Sequence, residues 1–176
     1  MKPATLFATV SFLSVLAAHA AHAEDASGPS PDVKKLVRLA GNWRGTGSFT
    51  SEGKKTPFTW QMNCSLVAQG FGVQCRFGAR GIPIIPRYDG SSIVGWDKET
   101  QTVHWYWVTN AGETHDHHGR WTDANSLDLP VEMKEGGKSV RETFTVNLVG
   151  AREMRWSSAY FIEGQQAMLF EASGRK

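Results

Sequence analysis

Gly41-Asn42-Trp43-Arg44-Gly45-Thr46-Gly47-Ser48-Phe49 opens a chain that alternates apolar and polar residues almost to its last position. A strand sends successive side chains to opposite faces, so a period of two fixes which residues share an interior. In this stretch the inward set is Trp43, Gly45, Gly47 and Phe49. Working outward, the next runs repeat it: Phe58, Trp60, Met62, Cys64 and Leu66, then Val73, Cys75 and Phe77, with mostly Thr, Ser, Gln, Asn and Arg between them. Residues 92–96, 102–109, 113–121, 126–131, 139–148, 152–161 and 165–172 carry the same pattern. Turn residues separate the runs at Gln69-Gly70, Asp97-Lys98-Glu99-Thr100, Asn110-Ala111-Gly112, Asp123-Ala124-Asn125, Glu135-Gly136-Gly137, Gly150 and Glu163-Gly164. Short turns and the lack of a parallel crossover make a meander. A meander of about eight to ten strands closes best as an all-β, up-and-down antiparallel barrel, whose interior can hold a small ligand.

Upstream of the first strand the chain changes character twice. Lys2, the apolar run from Leu6 to about Ala18 and the Ala21-His22-Ala23 cleavage signature predict a signal peptide over residues 1–23. That apolar run is too short to cross a bilayer, which takes about 20 residues, and no later segment approaches that length. No Cys stands at the cleavage point to accept a lipid, so the expected location is the periplasm, with secretion as the alternative. Residues 24–30 are small and polar and read as a disordered leader. Ser30-Pro31-Asp32 then supplies an N-cap, a Pro at the first helical position and an acid in the first turn, followed by Val33, Leu36, Val37 and Ala40 on one face and Gly41 as the stop. This single short helix is expected to plug one end of the barrel, and residues 31–176 form one domain. Removing Lys2 lowers the formal charge from +2 to +1. With acids and bases interspersed, nothing marks a nucleic-acid partner or a charged membrane surface.

The cysteines check the register. With Gln69-Gly70 as a two-residue turn, Cys64 falls opposite Cys75, Leu66 opposite Val73 and Met62 opposite Phe77, all on the inward face. In an oxidising compartment the pair reads as a cross-strand disulfide that staples one hairpin, worth about 2 to 3 kcal/mol. A redox-active pair lacks support, since there is no Cys-x-x-Cys and no helix N-terminus to lower a thiol pKa.

With Gly41-Asn42-Trp43 entering the first strand after a short helix and Arg175 following the last, the chain resembles the lipocalin and calycin group. There a Gly-x-Trp start and a late Arg meet at the closed end, which implies a structural role for Trp43 and Arg175. Gly41 to Gly47, Gly95-Trp96-Asp97, Gly119-Arg120-Trp121 and Arg175-Lys176 look, more closely, like a lipocalin-like family of bacterial exported proteins of unknown function, over residues 36–176. The resemblance implies binding of a small, mostly apolar molecule. Nitrobindins share the Gly-x-Trp-x-Gly opening and hold haem through a His near the C-terminus. Residues 150–176 contain no His, so haem ligation is not carried over.

The most unusual local sequence is Thr114-His115-Asp116-His117-His118. A three-residue turn at Asn110-Ala111-Gly112 pairs His115 with Trp107 and His117 with Trp105, and both histidines share a face with Trp121. His-x-His on a strand projects two imidazoles the same way, a geometry suited to zinc or copper, and Glu142 is the candidate third ligand, placed inward by Val140, Phe144, Val146 and Leu148. The other reading is a wet strand end, with His118 and His104 facing solvent and Glu142 bonded to an inward Arg or a lumen Trp. Trp60, Trp105, Trp107, Trp121 and Trp156 supply aromatic walls for a flat ligand, or simply fill a core. Gly78-Ala79-Arg80-Gly81-Ile82-Pro83-Ile84-Ile85-Pro86-Arg87 stands apart, its two prolines reading as a lid, a cap or a docking loop rather than a strand. No hydrolase, Walker or dinucleotide motif is present. Three functions fit: a carrier of a small hydrophobic or aromatic molecule, a metal-dependent or acid/base enzyme using His115, His117 and Glu142, and an envelope protein-interaction module.

Overall fold

The computed structural model describes residues 30–176, so the expected signal peptide and all of the leader but Ser30 lie outside the described residues. Ser30 caps helix α1 (Pro31–Leu36), its hydroxyl accepting from the Val33 amide at 3.3 Å, and Pro31 sits in the first turn, where no N–H is needed. A 3₁₀ turn, Val37–Leu39, extends it, and Val33, Leu36 and Leu39 are buried.

Ten strands follow: β1 (Gly41–Ser51), β2 (Lys54–Val67), β3 (Gly72–Ile82), β4 (Ile85–Asp97), β5 (Thr102–Thr109), β6 (Thr114–Trp121), β7 (Ser126–Glu135), β8 (Lys138–Val149), β9 (Glu153–Ile162) and β10 (Gln165–Arg175). Each pairs antiparallel with its chain neighbours, and β1 returns to β10 to close the barrel. The all-β meander expected from the alternation is therefore the observed fold. Gly45, the second glycine of the opening motif, stands where β1 meets β10: a Cβ there would run into the Ser173 carbonyl and approach the Gly174 Cα to 2.6 Å. Closure of the ring depends on that missing side chain.

Cys64 and Cys75 face each other and are joined by a disulfide. The connection at Gln69-Gly70 is longer than the expected two-residue turn, running as a 3₁₀ turn over Ala68–Gly70, yet Val67 still pairs with Gly72 and the register is unchanged. Leu66, in phase with the inward set, is the last such position before this turn and is 51% exposed at the rim.

Helix α1 covers the end where β1 begins. Trp43 is buried there and donates from Nε1 to the Leu39 carbonyl at 2.7 Å. Arg38 ties the helix to the β6–β7 and β8–β9 turns, bonding the carbonyls of Ala124, Leu148 and Gly150 and the Asn125 side chain. The late cation over Trp43 is Lys176 rather than Arg175: Lys176 Nζ lies 4.7 Å from the ring centroid and donates to the Arg38 and Ala40 carbonyls. Arg175 pairs across the ladder with the outward-facing Arg44, so alternation turns it to solvent, where it meets Glu153 at 3.6 Å.

Two departures from an even barrel shape the open half. The stretch from Gly78 to Arg87 is part of β3 and β4, a hairpin turned at Pro83-Ile84 and not a separate loop. Pro86 is tolerated because β4 gains β5 as a neighbour only from Gly90 onward, so no ladder bond is asked of it. The second departure is a split between β6 and β7. These strands pair only at Arg120–Asp128 and Trp121–Leu127, whereas β7 and β8 pair over ten positions. Pro130 has no N–H to continue the ladder towards β6. At the start of the split Gly119 lies so close to β7 that a Cβ would overlap the Asp128 carbonyl.

Candidate functional site

Opposite the helix, the barrel holds a cavity of about 420 Å³. Its walls are aromatic. Trp105 and Trp107 lie stacked with centroids 5.7 Å apart, Phe144 stands edge-on to Trp105 at 5.3 Å, and Trp156 meets both Phe77 and Phe144 edge-on at 5.9 and 6.4 Å. Ile82, Ile84 and Ile85 from the β3–β4 hairpin line the same space, as do Ala111 and Glu113 beside the β5–β6 turn, which places its mouth at this end. Ile84 is 66% exposed on that rim. Tyr88, whose hydroxyl donates to Glu113 at 3.5 Å, and Tyr160 complete the lining, and burial raises the pKa of both phenols.

One polar cluster interrupts these walls. His115 and His117 project inward from β6, opposite Trp107 and Trp105, and Glu142 projects inward from β8. His115 Nδ1 lies 3.2 Å and His117 Nε2 3.5 Å from the same oxygen, Glu142 Oε2. The other oxygen, Oε1, accepts the Ser158 hydroxyl from β9 at 2.5 Å. His117 Nδ1 lies 3.1 Å from the Leu129 carbonyl on β7. A carbonyl only accepts, so Nδ1 carries the hydrogen and Nε2 of the neutral ring presents a lone pair.

The electrostatics follow from burial and these contacts. Hydrogen bonding to Glu142 raises the His115 pKa against the opposing effect of burial. Burial dominates at His117 and lowers its pKa, keeping the ring neutral. Burial also pushes the Glu142 carboxyl up, but the hydrogen bonds from His115 and the Ser158 hydroxyl, with the positive charge the two histidines bring when protonated, outweigh it and hold its pKa below the ordinary value. Ser158 gives its hydrogen to Glu142, so it is not arranged as a nucleophile with a histidine base. The cluster can accept or donate one proton, ligate a cation, or anchor the polar end of a bound molecule.

Of the tryptophans and polar residues expected in the lumen, Trp105, Trp107, His115, His117, Glu142 and Trp156 line the cavity. Two do not. Trp60 is buried behind the wall, stacked on Phe77 and edge-on to Trp156, and Trp121 is half-buried nearer the helix, with Lys35 Nζ 5.5 Å from its ring. Alternation tells in from out and says nothing of depth along the barrel axis. Glu142 bonds two histidines and a serine, not an arginine or a tryptophan. Ser158 was legible in principle, lying between Trp156 and Tyr160 in the same inward phase of β9. His104 and His118 face outward as expected, their rings 3.9 Å apart, with Asp116 2.8 Å from His118 and 3.5 Å from His104.

No protein-family model matches the chain, and no curated protein matches it. Solved structures do. The crystal structure of Rv2717c from M. tuberculosis superposes with a TM-score of 0.61 at 12% identity, covering 85% of this chain and 99% of that one. The S-type phycobiliprotein lyase CPES from Guillardia theta superposes with a TM-score of 0.56 at 10% identity, covering 81% and 89%. The class these similarities define is the calycin-like barrel, and the likeness is one of fold.

Proposed function

We propose that the protein is an exported carrier that holds a small hydrophobic or aromatic molecule in the lumen of its barrel. The observation that carries this reading is the cavity itself: about 420 Å³ of space walled by Trp105, Trp107, Phe144 and Trp156, with one buried polar cluster at hand. That volume falls within the range of sites for small organic molecules, about 300 to 1,000 Å³, and a few convergent polar groups in an apolar wall are what orient such a ligand. Stacked and edge-on rings suit a flat guest. Trp105 adds a donor, its Nε1 being buried with no hydrogen-bond partner in the protein.

Export to the periplasm is supported by the N-terminal sequence and by the Cys64–Cys75 disulfide, which persists in an oxidising compartment. The interaction-module reading is weaker, because Ile82, Ile84 and Ile85 face the cavity that the hairpin borders instead of forming a separate docking face.

The test is to express the full chain, purify it from periplasm without a histidine tag and titrate it with an aromatic fluorophore such as anilinonaphthalene sulfonate, with native mass spectra alongside. Saturable binding at one site, weakened at least about tenfold in Trp107→Ala, is the expected result, together with a mass that fits cleavage after Ala23. Equal affinity in wild type and Trp107→Ala would reject the lumen as the binding site.

A further inference from the structure

We infer that His115, His117 and Glu142 form a site for one zinc-like divalent ion, with the remaining coordination position open to the lumen, so that the ligand is an apolar or aromatic molecule carrying one anionic donor such as a carboxylate or phenolate. The ligand half of this inference rests on the lumen-binding reading; the metal half does not.

Geometry comes first. Ligands at about 2.0 to 2.1 Å from a tetrahedral ion stand about 3.3 Å from one another. Glu142 Oε2 lies 3.2 Å from His115 Nδ1 and 3.5 Å from His117 Nε2, and each of the three residues offers a donor atom within 4.8 Å of those of the other two. Two histidines and one carboxylate, with a position left open, are a ligand set suited to zinc.

The surroundings hold these donors in place. Metal-bound histidines commonly give their second N–H to a carbonyl, and ligating carboxylates are themselves hydrogen-bonded. Here the Leu129 carbonyl fixes the His117 ring and the Ser158 hydroxyl fixes the second oxygen of Glu142. With Nδ1 committed to Leu129, His117 turns a lone pair towards a carboxylate oxygen at 3.5 Å. Two acceptors facing each other in a buried site repel unless a cation lies between them. A divalent ion on two neutral imidazoles and one carboxylate leaves a net charge of about +1 in an apolar lumen, and an anionic donor in the open position neutralises it.

The outer face of the same strand provides the contrast. His104, Asp116 and His118 also lie within 4.8 Å of one another, but their side chains are 34 to 53% exposed, and His104 divides its two nitrogens between Asp116 and Asp97.

The untagged full chain, stripped with chelator and dialysed, is titrated with cobalt(II) and then zinc(II). The wild type is expected to bind one equivalent and to show the visible bands of four-coordinate cobalt, which zinc then displaces. His117→Ala and the better shape-matched His117→Gln should each weaken binding by at least about 100-fold, and Ser158→Ala by about 10- to 100-fold. His104→Ala/His118→Ala should bind as the wild type does. Thermal unfolding of each variant establishes that it is folded. The metal site is overturned if the wild type takes up no stoichiometric ion, if the bands survive in folded His117→Gln, or if they vanish in the outer double variant. Naphthoate and its neutral carboxamide then test the ligand. Naphthoate should bind the zinc-loaded protein at least about tenfold more tightly than the stripped one, and the carboxamide should bind both alike. Equal naphthoate affinity with and without zinc would overturn the anionic-donor half. Failure of both probes in both forms would sink that half and the lumen reading together, leaving the cobalt result to judge the metal alone.

Discussion

Strand β6 presents the same chemistry to two different solvents. Inward, His115 and His117 meet Glu142, all of them buried; outward, His118 and Asp116 meet His104 in water. Composition is nearly matched, two imidazoles and one carboxylate on each side, and only the medium differs. Outside, water and salt screen the ion pairs, and contacts of this kind contribute little, about 0 to 1 kcal/mol. Inside, an unpaired charge has no solvent to fall back on, so Glu142 must accept Ser158 and His115 together. The contrast teaches that a functional histidine is recognised by what stands behind it more than by the residues beside it in sequence.

The largest expected effect separates two chain neighbours on β5. Trp105→Ala should destabilise the barrel by about 3 to 5 kcal/mol, whereas Tyr106→Ala, removing a side chain that is 45% exposed, should shift stability by no more than about 0.5 kcal/mol; urea midpoints measure both. Comparable losses would abolish the inside–outside distinction. Glu142→Gln keeps the shape of the buried carboxylate and removes its charge, at a cost of about 3 kcal/mol. Asp116→Asn on the outer face should cost less than about 1 kcal/mol. Replacing the inward cysteine pair by Cys64→Ala/Cys75→Ala should lower stability by about 2 kcal/mol, and dithiothreitol should do the same to the wild type while leaving the variant unmoved. The smallest effect belongs to the turns. Asn125 and Ser126 amides bond the fully exposed Asp123 carboxylate and hold its pKa below 3.8. Its contribution is therefore complete above that value and is lost as pH falls through the lower folded one. Melting temperatures measured down that range should fall less steeply for Asp123→Asn than for the wild type.

The fold was largely legible because a strand leaves its period in the sequence. The pairings of Cys64 with Cys75 and of Trp105 with His117 follow from turn lengths and alternation alone, and so does the inward direction of Glu142. Three things lay beyond that signal. Depth was one: Trp60 has the inward phase but lies under Phe77 and Trp156, outside the cavity. Local strand environment was another, since Pro86 breaks a strand only where a neighbour needs its N–H, and β5 begins too late to need it. The third was partnership between neighbouring strands. Ser158 lies on β9 one diagonal step from Glu142 on β8, and Leu129 lies on β7 where it parts from β6, and alternation does not say which polar atoms meet there. Lys176 replaced Arg175 above Trp43 for the simplest reason, a shift of one residue in an alternating strand.

A ring under tension parts at its thinnest link. Around this circumference the thinnest link is the junction of β6 and β7, joined by two residue pairs where the next junction has ten. Opening there would turn the closed barrel into a curled ribbon with β6 and β7 as its free margins. Those margins carry His117 and the carbonyl that orients it. His117 lines the cavity from one margin and Glu142 from β8, beyond the other, so an occupant bridging the two would span the weak junction as a clasp.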